Sequence, residues 1–102
     1  MKHNKNQSKF NQRMNALCIP RIENSITRDY IVKIFNKLKI GVIEQINEIP
    51  LHNDNKHKRV FIKIRWSEES ENAKNIISRL SKKETVKIVH DFPWFWRVVA
   101  KQ

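Results

Sequence analysis

The stretch 58–66, KRVFIKIRW, alternates so regularly that it constrains the fold more than any other part of the chain. Successive side chains of a β-strand point to opposite faces of the sheet, so a period of two predicts a strand. One face holds Val60, Ile62, Ile64 and Trp66, and the other holds Arg59, Phe61, Lys63 and Arg65. We therefore expect an apolar face that helices cover and a basic face, carrying a ring, that stays open.

The size and charge of the chain restrict the class of protein and the class of partner. A length of 102 residues predicts one domain with a modest core. Its 21 Lys and Arg residues stand against 10 Asp and Glu, a formal charge of +11. Such an excess favours polyanionic partners, chiefly nucleic acid, ahead of acidic proteins and anionic lipids.

The cysteine content and the hydropathy predict an intracellular protein, located in the cytoplasm, the nucleus or a virion. The single Cys18 excludes an internal disulfide and fits a reducing compartment. No apolar run reaches the length of a membrane span, and the N-terminus lacks the apolar segment of a signal peptide. We therefore expect no membrane partner.

The first half of the chain predicts a basic arm, a strand, a helix and a second strand. Residues 1–14 read as a flexible basic arm, followed by a domain over 15–102. The run 16–22 predicts the first strand. Apolar residues at helical spacing, with Thr27 as the N-cap, predict a helix over about 28–39 that ends near a left-handed Gly41. Residues 42–51 predict the second strand, with a bulge near Glu48.

The second half predicts the strand described above, a helix and two further strand-like runs. A polar turn over 52–57 would join strands two and three as a hairpin. Either Ser67 or Ser70 can cap the second helix, which has an apolar stripe through Ile77 and Leu80. Residues 85–89 are interpreted as a small accessory strand, and 94–100 as the last strand of the main sheet, separated by a turn over 90–93.

This order of elements predicts a ferredoxin-like split βαβ fold of the α+β class. In that βαββαβ topology, two helices cover one face of a four-stranded antiparallel sheet and leave the other face bare. A small accessory hairpin would precede the last strand.

At this point the chain resembles the RNA recognition motif family. The resemblance rests on 17–22 as the six-residue first-strand motif, 27–41 as the first helix and its glycine, and 59–66 as the eight-residue third-strand motif. It implies a sheet face that stacks bases on three rings. Here Cys18, Phe61 and Lys63 stand at those positions, and Val60 replaces the motif's glycine, so one ring remains. The composition and the ending Pro93-Trp94-Phe95-Trp96 also resemble small proteins of this fold from large DNA viruses.

The last strand decides what else the open face carries. If Trp96 and Val98 point inward, its outward residues are Phe95, Arg97 and Val99, whereas a shift of one residue would expose Trp94, Trp96 and Val98. Trp66, Trp94 and Trp96 are interpreted as core or rim packing. The predicted nucleic-acid site contains Phe61, Lys63, Arg65, Phe95 and Arg97, extended along one edge by Lys56, Lys58 and Arg59.

The function predicted from these residues is binding of RNA, or of single-stranded nucleic acid generally, with weak sequence preference. The alternative is a structural or regulatory module whose same face docks a protein partner or a second copy. Residues His52, Asp54 and His57 lack the further ligands that a metal site needs, so no metal is expected. No catalytic constellation or phosphate-binding loop stands out. We therefore expect no enzyme activity, cofactor or small-molecule substrate.

Overall fold

The computed structural model describes residues 15–101 as five strands and two helices. The predicted arm over 1–14 lies outside the described residues. Along the chain the elements are β1 (Ala16–Glu23), α1 (Arg28–Leu38), β2 (Gly41–Leu51), β3 (Asp54–Trp66), α2 (Glu71–Ser81), β4 (Val86–Asp91) and β5 (Trp94–Ala100).

The five strands form one antiparallel sheet in the order β2-β3-β1-β5-β4. The prediction of a four-stranded ferredoxin-like βαββαβ fold is therefore wrong, because the element order is β-α-β-β-α-β-β. Strand β4, interpreted from sequence as a small accessory strand, pairs with β5 from Val86 opposite Val98 to Asp91 opposite Trp94. It also buries Val86 and Ile88, so packing makes it a full edge strand of the sheet.

Both helices begin where the sequence predicts. Thr27 caps α1, its Oγ1 accepting from the backbone N–H of Tyr30 at 3.1 Å, and Ser70 caps α2, its Oγ accepting from that of Ala73 at 3.1 Å. The end of α1 differs from the prediction, because Lys39, with φ of 55°, is the left-handed residue there. Gly41 is instead the first residue of β2.

Gly41 has its own structural role beside β3. Its φ of 154° is rare for residues with a side chain, and it lies opposite Trp66 in the sheet. A Cβ added here would come within 2.9 Å of the Trp66 Cα and 3.0 Å of the Arg65 carbonyl carbon. The glycine therefore permits both the backbone angle and the close approach of the two strands.

Replacing Gly41 by Ala is expected to lower the free energy of unfolding by about 2 kcal/mol, since both strain and overlap with the backbone follow. Urea denaturation would show a lower midpoint with an unchanged slope. Lys39→Gly is the matched control, because glycine relieves the left-handed angle at that position and should leave stability equal or higher. A Gly41→Ala variant as stable as the wild type would contradict this account.

Both helices cover the same face of the sheet. The buried stripe of α1 includes Phe35, that of α2 includes Leu80, and both belong to one core cluster with strand residues such as Ile19, Ile62 and Val98. Over residues 15–101, no helix covers the opposite face. Within that same part of the chain, neither helix is long and apolar enough to cross a membrane.

The strand pairing is irregular at two places in this sheet, between β2 and β3 and between β1 and β5. The register of β2 against β3 shifts between Ile43 and Gln45, so the bulge lies there and at the strand's end, and not near Glu48 as predicted. Strand β1 pairs with β5 only at Leu17 opposite Ala100 and Cys18 opposite Val99. Two residues further along β1, Pro20 has no N–H to offer β5, and the strands separate.

Candidate nucleic-acid interface

The helix-free side of the sheet is defined by a row of opposed residues. Asn47 of β2 lies opposite Phe61, Phe61 lies opposite Cys18, and Cys18 lies opposite Val99 of β5. Opposed residues in a sheet share a face, so all four side chains point away from the helices. Phe61 therefore lies on the uncovered face, on a strand that is paired on both sides.

The register of β5 places its outward residues on the same side. Trp96 is 5% exposed and Val98 is fully buried in the core, whereas Phe95 is 37% exposed and Arg97 is exposed. Alternation continues past the strand's end to Lys101, whose backbone N–H donates to Ala16 O at 2.9 Å. We call this surface the open face and use the name for its residues on β3, β4 and β5 and for Lys101: Arg59, Phe61, Lys63, Arg65, Lys87, Val89, Phe95, Arg97, Val99 and Lys101.

Cations lie close to both rings of the open face. The Lys101 Nζ is 4.7 Å from the centroid of the Phe61 ring, within the range of cation–π attraction. The Lys87 Nζ is 4.9 Å from the centroid of Phe95, and the Arg97 Cζ is 6.0 Å from it. Each ring thus presents an apolar surface with positive charge beside it.

Lys87 and Lys101 were missed by the sequence analysis. The alternation of the sequence does point to both residues. Lys101 continues the alternation of Arg97 and Val99, and Lys87 alternates with the buried Val86 and Ile88. Treating residues 85–89 as an accessory strand removed Lys87 from consideration, and ending the last strand at Ala100 removed Lys101.

The structure brings together most of the residues that the sequence predicts for the site. Six of them lie on the open face: Arg59, Phe61, Lys63, Arg65, Phe95 and Arg97. Lys56 is exposed near the β2–β3 turn, at the start of β3. Arg65 lies 3.9 Å from Glu44, with most of its side chain still exposed. Lys58 does not join them.

Lys58 is a buried structural residue on the helix side of the sheet, only 6% exposed. Its Nζ donates to Glu48 Oε1 at 2.7 Å and to the Ile26 carbonyl at 2.6 Å. Glu48 Oε2 accepts from Arg28 Nε at 2.7 Å. Hydrogen bonds from Lys58 and then Arg28 lower the pKa of Glu48 below its ordinary 4.5. Grouping Lys58 with the loop overlooked that the even-numbered residues from Lys58 to Trp66 face the core.

Cys18 lies beneath the open face, between the rows of β3 and β5. Burial raises the pKa of its thiol, an effect that the charges of Arg59 and Lys101 oppose. A buried, protonated thiol is a poor nucleophile. Cys18 therefore serves as a small packing residue here.

A polar cluster of Arg21, Asp54 and His57 lies at the β2–β3 turn end of the sheet. Arg21 Nη2 lies 2.8 Å from Asp54 Oδ2, and His57 Nδ1 lies 3.0 Å from the same oxygen. Hydrogen bonding from His57 is the main cause that lowers the pKa of Asp54. Within residues 15–101, no group of three or more His, Cys, Asp or Glu side chains could hold a metal ion.

A cleft of about 580 Å³ opens where β1 and β5 separate. Its inner wall is aromatic: the His90 ring stacks on Trp96 at 4.5 Å between centroids, and the Tyr30 hydroxyl donates to the His90 carbonyl at 3.3 Å. Trp94 lies at the rim and is 66% exposed, whereas Trp66 and Trp96 are buried in the core. The cleft is lined by Arg21, Ile22, Glu23, Ile26, Tyr30, His57, His90, Asp91, Trp94, Phe95 and Trp96.

Comparisons with protein-family models, curated proteins and solved structures found no match to this chain. The resemblance to the RNA recognition motif family therefore stays a prediction.

Proposed function

We propose that the protein binds RNA, or single-stranded nucleic acid generally, across the open face and without catalysis. The observation that supports this best is the pairing of Phe61 and Phe95 with cations on a sheet surface that no described helix covers. Base stacking on an aromatic side chain contributes about 1–3 kcal/mol per base, and every base has a face that can stack.

The cations around the rings suit the phosphates of such a strand. Lys63 and Arg97 are exposed beside Phe61 and Phe95, and Lys101 lies over the Phe61 ring. A base that stacks on Phe61 would displace the Lys101 ammonium toward the backbone of the strand, where a phosphate can receive it. Rings and cations contact features that all nucleotides share, so the open face itself supports weak sequence preference.

Affinity for single-stranded RNA is expected to fall steeply with salt. If about five phosphates are neutralised, the logarithm of the association constant falls with the logarithm of salt concentration with a slope of about −3.5. Fluorescence anisotropy with a labelled RNA octamer across a salt series measures this slope. No binding at low salt would end the proposal.

Two single substitutions separate stacking from charge within this experiment. Phe61→Ala should weaken binding about 5- to 150-fold, the equivalent of 1–3 kcal/mol, with the salt slope unchanged. Lys63→Ala should instead reduce the slope by about 0.7. Phe92→Ala is the control, because Phe92 is an exposed ring in the β4–β5 turn, outside the open face. Equal losses from Phe61→Ala and Phe92→Ala would argue against stacking on Phe61.

A second candidate is a protein partner docked on the same face. The exposed apolar side chains of Val89 and Phe95 favour it. Two copies placed face to face would bring their cations together and repel each other. An acidic partner therefore fits this surface better than a second copy does. Gel filtration distinguishes self-association from docking of a different protein, because a self-docking face predicts a dimer that Phe61→Asp dissociates.

A further inference from the structure

We propose that the cleft between β1 and β5 receives one base of the bound strand and favours bases with an exocyclic amino group over uracil. The inference rests on the proposed function, since the strand would reach the cleft from the open face. It adds a specificity site to a surface that otherwise treats nucleotides alike.

The cleft is continuous with the open face through Phe95. That ring lies beside Lys87 and Arg97 on the open face and also forms part of the cleft wall. A volume of about 580 Å³ falls within the range of pockets that hold small organic ligands. A strand stacked on Phe61 and Phe95 can therefore continue into the cleft without crossing a helix.

Trp94 is the most exposed of the rings that line the cleft and is available for stacking. Its indole is 66% exposed at the rim, whereas Trp96 is buried and its ring already stacks on His90. Ile22 and Ile26 supply apolar surface to the same cleft. A planar aromatic ligand thus meets a free indole and an apolar wall.

The polar groups at the cleft determine which base edge fits. Glu23 and Asp91 line it, and within residues 15–101 no side chain forms a hydrogen bond or ion pair with either carboxylate. Carboxylates only accept hydrogen bonds, and they pair with the amino group of cytosine. Uracil carries carbonyl oxygens on both sides of its single ring N–H. These oxygens would be repelled by the carboxylate oxygens of the cleft. Arg21 and His57 also line the cleft, but both contact Asp54, so the unpaired charges of the lining are the carboxylates. These repel phosphate, which leaves the backbone of the strand outside the cleft.

Binding of labelled oligocytidine and oligouridine octamers, measured by anisotropy at one salt concentration, tests the inference. We expect oligocytidine to bind at least about fivefold more tightly, since a good base contact discriminates by that factor or more. Trp94→Ala should abolish this difference by weakening oligocytidine binding. Phe92→Ala, a neighbouring exposed ring that does not line the cleft, should leave the difference intact.

The double variant Glu23→Gln, Asp91→Asn tests the carboxylates without removing side-chain volume. Loss of two negative charges should tighten both oligonucleotides, while the amide N–H groups can donate to uracil and bring the ratio of affinities toward one. Equal, salt-dependent binding of both octamers to the wild type would overturn the cleft inference and leave the proposed function standing. The same holds if the cytidine preference persists in Trp94→Ala and in the double variant. No binding of either octamer at low salt would overturn the proposed function itself.

Discussion

Reversing the charge of Lys63, Arg65 and Arg97 together to Glu is expected to weaken binding of single-stranded RNA by at least about 100-fold at low salt. A slope of about 0.7 per phosphate contact corresponds to roughly an eightfold factor in the association constant near 50 mM salt. The triple variant loses three such contacts. All three side chains are exposed on the open face. The reversed charges add repulsion to the loss of attraction. Anisotropy titration at constant salt measures the effect.

A charge-matched control separates the open face from bulk charge. Lys33, Lys37 and Lys74 are exposed on the helices, on the opposite side of the domain. Reversing all three changes the net charge by the same amount but leaves the open face intact, so affinity should fall only severalfold. Similar losses in the two triple variants would show that binding follows net charge and has no defined surface.

Replacing Lys58 by Met is expected to lower the free energy of unfolding by about 3 kcal/mol, measured by urea denaturation. The ammonium of Lys58 is buried and joins β3 to Glu48 of β2 and to the Ile26 carbonyl just before α1. Methionine keeps most of the volume but leaves that carbonyl without its charged donor. Stability near the wild-type value would show that this ion pair contributes little.

The pairing of Lys58 with Glu48 also affects how stability depends on pH, and the position of Lys58 predicts an unchanged affinity for RNA. Because the folded-state pKa of Glu48 is lowered, its contribution to stability is present above the ordinary value of 4.5 and is lost as the pH falls through the folded pKa. Glu48→Gln should therefore make stability less sensitive to acid below about pH 4.5. Under native conditions Lys58→Met should bind RNA as the wild type does, because Lys58 lies on the helix side. A loss comparable to that of Lys63→Ala would contradict this placement.

Local patterns in the sequence determined most of the elements and the two faces of β3. The alternation from Val60 to Trp66 defines an apolar and a basic side for any sheet that contains this strand, because side-chain direction in a strand depends only on position. The caps at Thr27 and Ser70 are equally local, since each accepts from an amide three residues further along. These features needed no knowledge of the rest of the fold.

The tertiary structure decided what depends on pairing between distant segments. Pairing with β5 made Val86–Asp91 a full edge strand, which overturned the four-stranded prediction. The alternation of β3 already directs Lys58 toward the core, but its partner, the carboxylate of Glu48, is supplied by pairing across the β2–β3 hairpin. The separation of β1 and β5 beyond Cys18 produced the cleft and exposed Trp94. Each outcome depends on which backbone lies beside which, and side-chain period alone carries no information about that.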